Sequence, residues 1–294
     1  MGFDLKITDV RINPGDSGFL IDDGKTSILY DTGFGFTGKA MAEKIKKILG
    51  VRELDYIFLT HSHYDHALGS GFINQYWKNV KVVAGKYTSE IFKRDGAKAV
   101  MRELDSKLAQ KCGVTEYEFP GEKLRVDIPV EDGDIICAGD MRFEVISLPG
   151  HTKCSVGFYL KDYSLLLSSE TLGVYDGADI IMPSFLVSYK DSLSAINKIK
   201  KINPKRILCP HYGILNKEQT NYFLGNMKRA SEEAAEFIAE FVKKRIPEEE
   251  IVERFKERYR RGYINDVYPE DAVNLNTSIM IKLIKKELMC TFED

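Results

Sequence analysis

The fold and the chemistry of this chain are decided by one short stretch with four side chains that can bind metal, Thr60-His61-Ser62-His63-Tyr64-Asp65-His66. The apolar run over 56–59 precedes this stretch and predicts a buried strand. The residues over 67–73 follow it and are typical of the first turns of a helix. The sequence therefore predicts a turn between a strand and a helix, in which these side chains gather.

The spacing within this stretch indicates how the side chains are directed. His61 and His63 are two residues apart, so in extended backbone they point to the same side. Asp65 and His66 follow where the chain turns towards the helix, and they can face a second, adjacent point. Imidazole nitrogens and carboxylate oxygens suit zinc, iron or manganese. The stretch therefore predicts two neighbouring metal positions rather than one.

The other two histidines of the chain, His151 and His211, are placed in a similar way. Each follows a strand-like apolar run and then a glycine or a proline, so each is predicted at the end of a strand. The alternative is that these are ordinary histidines of the core or the surface. Three of the five histidines lie within the six residues 61–66, which argues against that alternative.

The order of these motifs resembles the metallo-β-lactamase-fold hydrolase superfamily over residues 1 to about 215. The pattern is His-x-His-x-Asp-His after a strand, then Gly-His-Thr at 150–152, then an acidic residue and a last histidine. The spacing of the last ligands is similar to that of the quinolone-signal response thioesterases, which also carry a helical C-terminal extension. The resemblance implies two metal sites, one held by His61, His63 and His151 and the other by Asp65, His66 and His211.

Two carboxylates complete the set that the resemblance implies. The family usually has a bridging Asp about twenty residues after Gly-His-Thr, and the candidate at that place is Glu170. Glutamate is one methylene longer, which could change the metal separation or weaken one site. Asp31 could simply terminate a strand, but in the family an Asp here lies beside the metals and orients a ligand.

The alternation of strands and helices, followed by helices alone, predicts an α/β fold. The resemblance implies a four-layer αββα sandwich with a catalytic domain over 1–215 and a helical C-terminal extension over 216–294. We predict a strand over 3–12 and helices over 39–49, 87–111, 191–202, 217–245, 248–261 and 270–289, with a turn at 263–269. The last helix has Ala272, Leu275, Ile279, Ile281 and Leu283 as apolar residues. We expect the extension to cover the metal cleft, and a dimer interface or support of the core is the alternative.

Composition limits the classes of partner. The 42 basic and 44 acidic residues nearly balance, which argues against a large basic surface for nucleic acid. No secretory signal is visible, and no apolar run approaches the roughly 18 residues that span a membrane. The five cysteines, at 112, 137, 154, 209 and 290, form no Cys-x-x-Cys pair and indicate free thiols in a reducing cytoplasm. We therefore expect a cytoplasmic protein with a small-molecule substrate, and a homodimer stays open.

The resemblance implies a binuclear metal-dependent hydrolase that attacks a small ester or thioester with a hydroxide shared by two metals. We expect zinc, and because no cysteine is among the ligands, iron and manganese compete with it. Asp65 and Tyr212 are the catalytic candidates. Tyr212 and Tyr64 each adjoin a ligand and could donate to an oxyanion or merely pack beside it.

The alternatives are a phosphodiesterase, a di-iron oxidoreductase of the flavodiiron type, and a binding protein that has kept the metal site. Flavodiiron proteins usually have Glu where this chain has His63, and they carry a flavodoxin domain. Cys154 is predicted to be a buried structural thiol. Four apolar residues could line an acyl pocket or belong to the core, namely Phe34, Phe36, Met182 and Phe185.

Overall fold

The computed structural model describes residues 5–289, and the chain divides into two compact units. The first unit contains the chain up to Ser147 together with Val156–Lys161. The second contains Leu148–Ser155 and the chain from Asp162 onwards. This division by compactness does not follow the boundary at residue 215, which stays a prediction.

The first unit contains a six-stranded sheet in the order β1 to β6. Its strands are β1 (Lys6–Asp9), β2 (Phe19–Asp22), β3 (Ser27–Tyr30), β4 (Tyr56–Leu59), β5 (Lys81–Gly85) and β6 (Ile128–Val130). The pairs β1–β2 and β2–β3 are antiparallel, whereas β3, β4, β5 and β6 run parallel. An antiparallel meander follows, with β7 (Ile135–Ala138), β8 (Met141–Ser147) and β9 (Val156–Leu160). The part of the predicted N-terminal strand at residues 3 and 4 lies outside the described residues.

The order of the parallel strands determines where the ligand turn lies. The apolar strand β4 is paired on both edges, with β3 on one side and β5 on the other. Parallel neighbours bring their carboxyl ends to the same edge of the sheet. Asp31 follows β3 directly and Thr60 follows β4 directly, so the two residues meet at that edge.

The helices of the first unit are α1 (Gly35–Leu49), α2 (Tyr64–Ala67), α3 (Ser70–Tyr76), α4 (Lys86–Ile91) and α5 (Asp95–Lys111). The predicted helix over 39–49 begins four residues too late. Its first N–H groups are satisfied by carboxylates from elsewhere in the chain, since Asp16 accepts from Phe34 N and Asp105 from Gly35 N. Such distant caps leave no local signal. The predicted helix over 87–111 is wrong as one element, because residues 92–94 separate α4 from α5.

The second unit contains β10 (Leu165–Leu167), β11 (Val174–Tyr175), β12 (Ile181–Met182), β13 (Arg206–Cys209) and β14 (Gly213–Ile214). Strand β13 pairs parallel with β10 and antiparallel with β14, and β11 pairs with β12. Its helices are α6 (Tyr189–Ile202), α7 (Lys217–Lys243), α8 (Glu248–Tyr259), α9 (Tyr263–Val267) and α10 (Glu270–Ile284), followed by a π-helical turn over Lys285–Met289.

Helix α7 begins with a capping box, in which Asn216 and Gln219 bond each other's backbone N–H groups. Pro247 stands directly before α8, as the predicted break requires. The turn predicted at 263–269 is wrong, because α9 occupies most of it.

The apolar face predicted for the last helix also needs correction. Leu275 is 48% exposed, whereas the buried stripe of α10 consists of Val273, Thr277, Met280, Ile281 and Ile284. Because this stripe includes the polar residue Thr277, it does not form a continuous apolar pattern in the sequence. The Thr277 hydroxyl donates to Val273 O over 2.7 Å, which lets it lie in the core.

The apolar candidates for an acyl pocket are largely core residues. Met182 and Phe185 belong to the core of the second unit, together with residues of α7, α8 and α10. Phe34 is 1% exposed and its ring stacks on that of Phe36 with centroids 5.2 Å apart.

Among the residues that the structure describes, Cys112, Cys137, Cys154 and Cys209 are free thiols, while Cys290 lies outside them. Over 5–289 no helix combines the length and the apolar character that crossing a membrane requires.

Candidate metal centre

The turn after β4 gathers four of the predicted ligands within the first unit. His61 and His66 are fully buried, whereas His63 and Asp65 are partly exposed. The ring of His61 lies 4.6 Å from that of His63 and 4.1 Å from that of His66, measured between centroids. Asp65 Oδ2 lies 3.5 Å from His66 Nε2. The first unit therefore brings together the whole ligand set that the stretch 60–66 predicts.

Asp31 anchors this turn from the neighbouring strand. It is fully buried and adopts a left-handed backbone conformation with φ of 52°. Its carboxylate accepts from Thr60 N at 2.8 Å and from the hydroxyl groups of Ser17 and Thr60 at 2.9–3.1 Å. The fourth contact joins Asp31 Oδ2 to His66 Nδ1 over 2.8 Å. Asp31 thus contacts a candidate ligand in the way that the resemblance implies.

These contacts select the tautomers of two histidines. A carboxylate oxygen accepts hydrogen bonds, so His66 donates from Nδ1 to Asp31 and leaves a lone pair on Nε2. The Thr60 hydroxyl donates to Asp31 and can therefore accept from His61 Nδ1, which lies 2.9 Å away. Both histidines then present Nε2 as a lone pair, which is the form that binds a metal.

The backbone that follows the turn is packed too tightly for any side chain at Gly69. A Cβ at this position would lie 1.9 Å from Thr32 O. Thr32 N in turn donates to His66 O over 2.7 Å. The glycine therefore allows the strand-end loop and the ligand turn to be held together by backbone contact.

The second unit gathers the other three ligands from three separate loops. His151 follows Gly150, where φ is 130° and an added Cβ would lie 2.0 Å from Ser192 Oγ. The carbonyl oxygen of Gly150 accepts from the backbone N–H groups of residues 186–188, which fixes the loop at the start of α6. His151 Nδ1 lies 2.8 Å from Ser184 O and must donate to it, because a carbonyl only accepts.

Glu170 lies between the two histidines of the second unit. It is 1% exposed and begins a short 3-10 turn over Glu170–Leu172. Its Oε2 lies 2.9 Å from His151 Nε2, and its Oε1 lies 3.4 Å from His211 Nε2. Each carboxylate oxygen therefore faces a different histidine, which is the arrangement expected of a carboxylate shared by two cations.

These distances also test whether the donor set fits a metal. Two ligands at about 2.0–2.1 Å from one ion, at tetrahedral or right angles, are about 2.9–3.4 Å apart. The two Glu170–histidine distances of 2.9 and 3.4 Å fall in this range, and the 3.5 Å between Asp65 and His66 lies at its edge. Because His151 donates from Nδ1, its Nε2 lone pair would repel Glu170 unless a proton or a cation lay between them. The residues present therefore suit divalent transition metals.

Residues of the C-terminal region contact His211, which the sequence did not reveal. The Tyr263 hydroxyl donates to His211 O over 2.6 Å, and the Tyr268 ring meets the His211 ring edge-on with centroids 5.9 Å apart. His211 itself has φ of 61°, which is uncommon for a residue other than glycine. Two tyrosines five residues apart were the available signal in the sequence. The prediction of a turn over 263–269 gave no reason to place them beside His211.

The remaining candidates have identifiable neighbours. Tyr212 accepts a hydrogen bond from Gln219 Nε2 over 2.7 Å, which leaves its own O–H for another acceptor. The Tyr64 ring packs on Phe34, with centroids 5.5 Å apart. Cys154 is 3% exposed with its sulfur 3.2 Å from Thr152 Oγ1, as a structural thiol would be. Catalytic roles for Tyr212 and Asp65 stay predictions.

Residues 15–211 match the family model that describes the Metallo-beta-lactamase superfamily. The chain belongs to the metallo-beta-lactamase superfamily. A metallo-beta-lactamase family protein from Thermus thermophilus has a similar structure, with a TM-score of 0.65 and 18% identity over 96% of this chain and 92% of that one. The predicted metallo-β-lactamase fold is thereby confirmed.

Two curated proteins are similar to this chain in sequence. A hydroxyacylglutathione hydrolase of Brucella anthropi is 32% identical over 119 residues, which are 40% of this chain and 34% of that protein. An acyl-coenzyme A thioesterase of Homo sapiens is 25% identical over 171 residues, which are 54% of this chain and 58% of that protein. The chain thus spans between one third and three fifths of the length of these relatives.

Proposed function

We propose that this superfamily member is a binuclear metal-dependent hydrolase of thioesters or esters. The observation that carries the proposal is Glu170, whose two oxygens face two different histidine nitrogens at 2.9 and 3.4 Å. A carboxylate directed in this way fits two cations better than one. The hydrolase class is supported by the names of the two curated relatives, both of which are enzymes that cleave acyl compounds.

The proposal assigns the seven candidate ligands to two sets that have Glu170 in common. The first ion would be held by His61, His63, His151 and Glu170, and the second by Asp65, His66, His211 and Glu170. Imidazole and carboxylate donors suit zinc, and because the set has no thiolate, iron or manganese compete with it.

Bound divalent cations would lower the pKa of a water and polarise a carbonyl oxygen of the substrate. The protein's own residues orient the ligands and accept a proton. Asp31 and Ser184 O hold His66 and His151 in the tautomers that present Nε2. Asp65 is the more exposed carboxylate of the set and can accept a proton at the rim of the centre.

Tyr212 is the proposed donor to the developing oxyanion of the substrate. Its oxygen accepts from Gln219, so its hydrogen is left for another acceptor. The same contact holds the phenol ring against Gly177, where an added Cβ would lie 2.1 Å from the Tyr212 hydroxyl. The donor is thus held in place before a substrate arrives.

The test combines metal content with a substrate panel. Protein purified without chelator should contain two transition metals per chain, and it should hydrolyse acyl-coenzyme A thioesters or aryl esters faster than a bis-aryl phosphodiester. A reproducible metal content of zero or one after supplementation would refute the binuclear proposal. Faster phosphodiester cleavage would favour the phosphodiesterase, and turnover of oxygen or peroxide by an iron form would favour the oxidoreductase.

A further inference from the structure

A cavity of about 170 Å³ lies in the second unit, among α7, α8 and residues 179–181. None of the proposed metal ligands lines it. Polar and cationic side chains supply much of its wall, namely Tyr222, Asn226, Arg229, Arg258, Tyr259 and Arg261. Its volume corresponds to roughly five or six water molecules at about 30 Å³ each, which is enough for a phosphate-sized anion.

The charges around this arginine cavity do not cancel. Two carboxylates, Asp179 and Glu233, face the three guanidinium groups. Glu233 pairs with both Arg229 and Arg258, at 3.5 and 3.2 Å. The Arg261 guanidinium has no hydrogen-bond or ion-pair partner within residues 5–289. One positive charge is therefore left in the wall, on a side chain that is free to bind.

Arg258 is held in position before any ligand binds. Its guanidinium lies over the rings of Phe237 and Tyr259, at 5.5 and 5.3 Å from their centroids. A planar guanidinium fixed against aromatic rings loses little freedom on binding, and its paired N–H groups match the oxygens of phosphate or carboxylate.

A buried hydroxyl in the same wall provides a second, independent indication of a ligand. Tyr259 is 5% exposed, and its hydroxyl has no hydrogen-bond partner among the described residues. Burial raises the pKa of Tyr259 to about 12, so the group is a hydrogen-bond donor at neutral pH. A buried polar group without a partner costs about 1–3 kcal/mol, so such groups usually have one.

We propose that the arginine cavity binds the phosphate group of a small molecule. The Arg261 guanidinium, the N–H groups of Arg229 and Arg258 that Glu233 does not use, and a phenol offer more donors than the two oxygens of a carboxylate can use. A terminal phosphate presents three oxygens. The loop over 176–180 connects this cavity to the metal ligands, because Gly177 packs against Tyr212, the residue after His211. The phosphate then belongs either to the far end of the substrate or to a separate molecule.

Calorimetric titration at low ionic strength tests the binding directly. The probes are pyrophosphate and adenosine 3′,5′-bisphosphate, and the proteins are wild type, Arg261→Gln, Tyr259→Phe and the matched control Arg254→Gln. Arg254 lies on α8, as Tyr259 does, and it pairs with Glu250 outside the cavity. Phosphate bound at the metal ligands would be equal in all four proteins.

We expect Arg261→Gln to weaken one class of site about three- to tenfold and Tyr259→Phe to weaken it about threefold, with Arg254→Gln unchanged. Equal affinities in wild type, Arg261→Gln and Arg254→Gln would overturn the proposal, as would the absence of binding at millimolar probe in the wild type. Circular dichroism of each variant separates lost binding from lost folding, and Arg261 is exposed, so its substitution should fold.

The source of the phosphate is decided by kinetics on two thioesters with the same acyl group. One is the coenzyme A thioester and the other is the N-acetylcysteamine thioester, which has no phosphate. If the phosphate belongs to the substrate, Arg261→Gln raises KM for the first and not for the second. If it belongs to a separate molecule, both KM values stay unchanged while the calorimetric loss persists. The calorimetric test measures binding alone, so it stays valid even if the protein hydrolyses neither thioester.

Discussion

The two halves of the candidate ligand set, one in each unit, are built in different ways. In the first unit, four ligands come from the six residues 61–66, and Asp31 at the end of the adjacent parallel strand orients His66. In the second unit, three ligands come from loops at 151, 170 and 211, and the supporting groups are as distant as Tyr263. The first half therefore depends on local register within one sheet, whereas the second depends on packing across a long part of the chain.

Glu170→Gln should produce the largest effect, because it changes the one group of the second unit that faces both histidines. The amide keeps the shape but removes the charge and one acceptor. We expect metal occupancy to fall from two to one or none and kcat to fall at least about 100-fold, beyond the roughly 10- to 100-fold typical of residues that orient ligands. Elemental analysis and steady-state kinetics measure both, with exposed Asp162→Asn as control. Unchanged occupancy would mean that Glu170 is not shared.

The contrast between the halves also explains what could be predicted from the sequence. The turn over 60–66 was predictable because its ligands are contiguous and follow an apolar strand, so period-2 spacing fixes their direction. Glu170 was located by its distance from Gly-His-Thr, but the contact of each oxygen with a different histidine depends on three loops folding together. Tyr263 was missed because α9 is a five-residue helix in a stretch with turn-like composition. Leu275 was misplaced because Thr277 lies in the buried stripe.

Asp31→Asn tests whether the carboxylate at the end of β3 supports metal binding by His66. Asparagine tolerates the left-handed conformation at φ of 52° and keeps the side-chain size, so the change removes mainly charge. His66 Nδ1 would then no longer donate to a carboxylate, and we expect about 10- to 100-fold weaker binding of the ion held by His66. Competition with a chromogenic chelator measures this, and Asp22→Asn at the end of β2 is the control. Affinity equal to wild type would show that Asp31 only terminates its strand.

Asp105→Asn should change how the free energy of unfolding depends on pH. Burial raises the pKa of Asp105 to about 7, although the Tyr117 hydroxyl and the N–H groups of Gly35 and Phe36 oppose this rise. The unfolded carboxyl titrates near its ordinary value of 3.8, so the folded state holds the extra proton between about pH 4 and 7. Stability must therefore fall as pH rises through this window.

The asparagine variant cannot lose that proton and should show a smaller fall, by on the order of 2 kcal/mol between pH 5 and 8. Urea unfolding of both proteins at the two pH values measures the difference. The neighbouring Asp16, whose pKa burial also raises, stays in both proteins and cancels in the comparison. If the free energy of unfolding falls equally in the two proteins between these pH values, Asp105 is not the source of the fall.

Tyr263→Phe should have the smallest effect, and it addresses the second half alone. The change removes the O–H that donates to His211 O over 2.6 Å but keeps the ring. His211 is held at φ of 61°, a conformation that costs on the order of 1 kcal/mol and persists only with such support. We expect about three- to tenfold weaker binding of the ion held by His211, in line with one hydrogen bond of about 1 kcal/mol.

The control for this change is Tyr56→Phe, whose exposed hydroxyl also donates to a backbone carbonyl, Cys137 O at 3.4 Å. Chelator competition measures the metal affinity of both variants. The comparison shows whether a weaker affinity is specific to the Tyr263 hydroxyl or follows the loss of any such tyrosine hydroxyl. If Tyr263→Phe binds metal as the control does, the C-terminal helices support the core and not the ligands. If only Tyr263→Phe weakens the ion, a helix about fifty residues beyond His211 is part of what fixes that ligand, and metal binding should in turn stabilise the C-terminal region against unfolding.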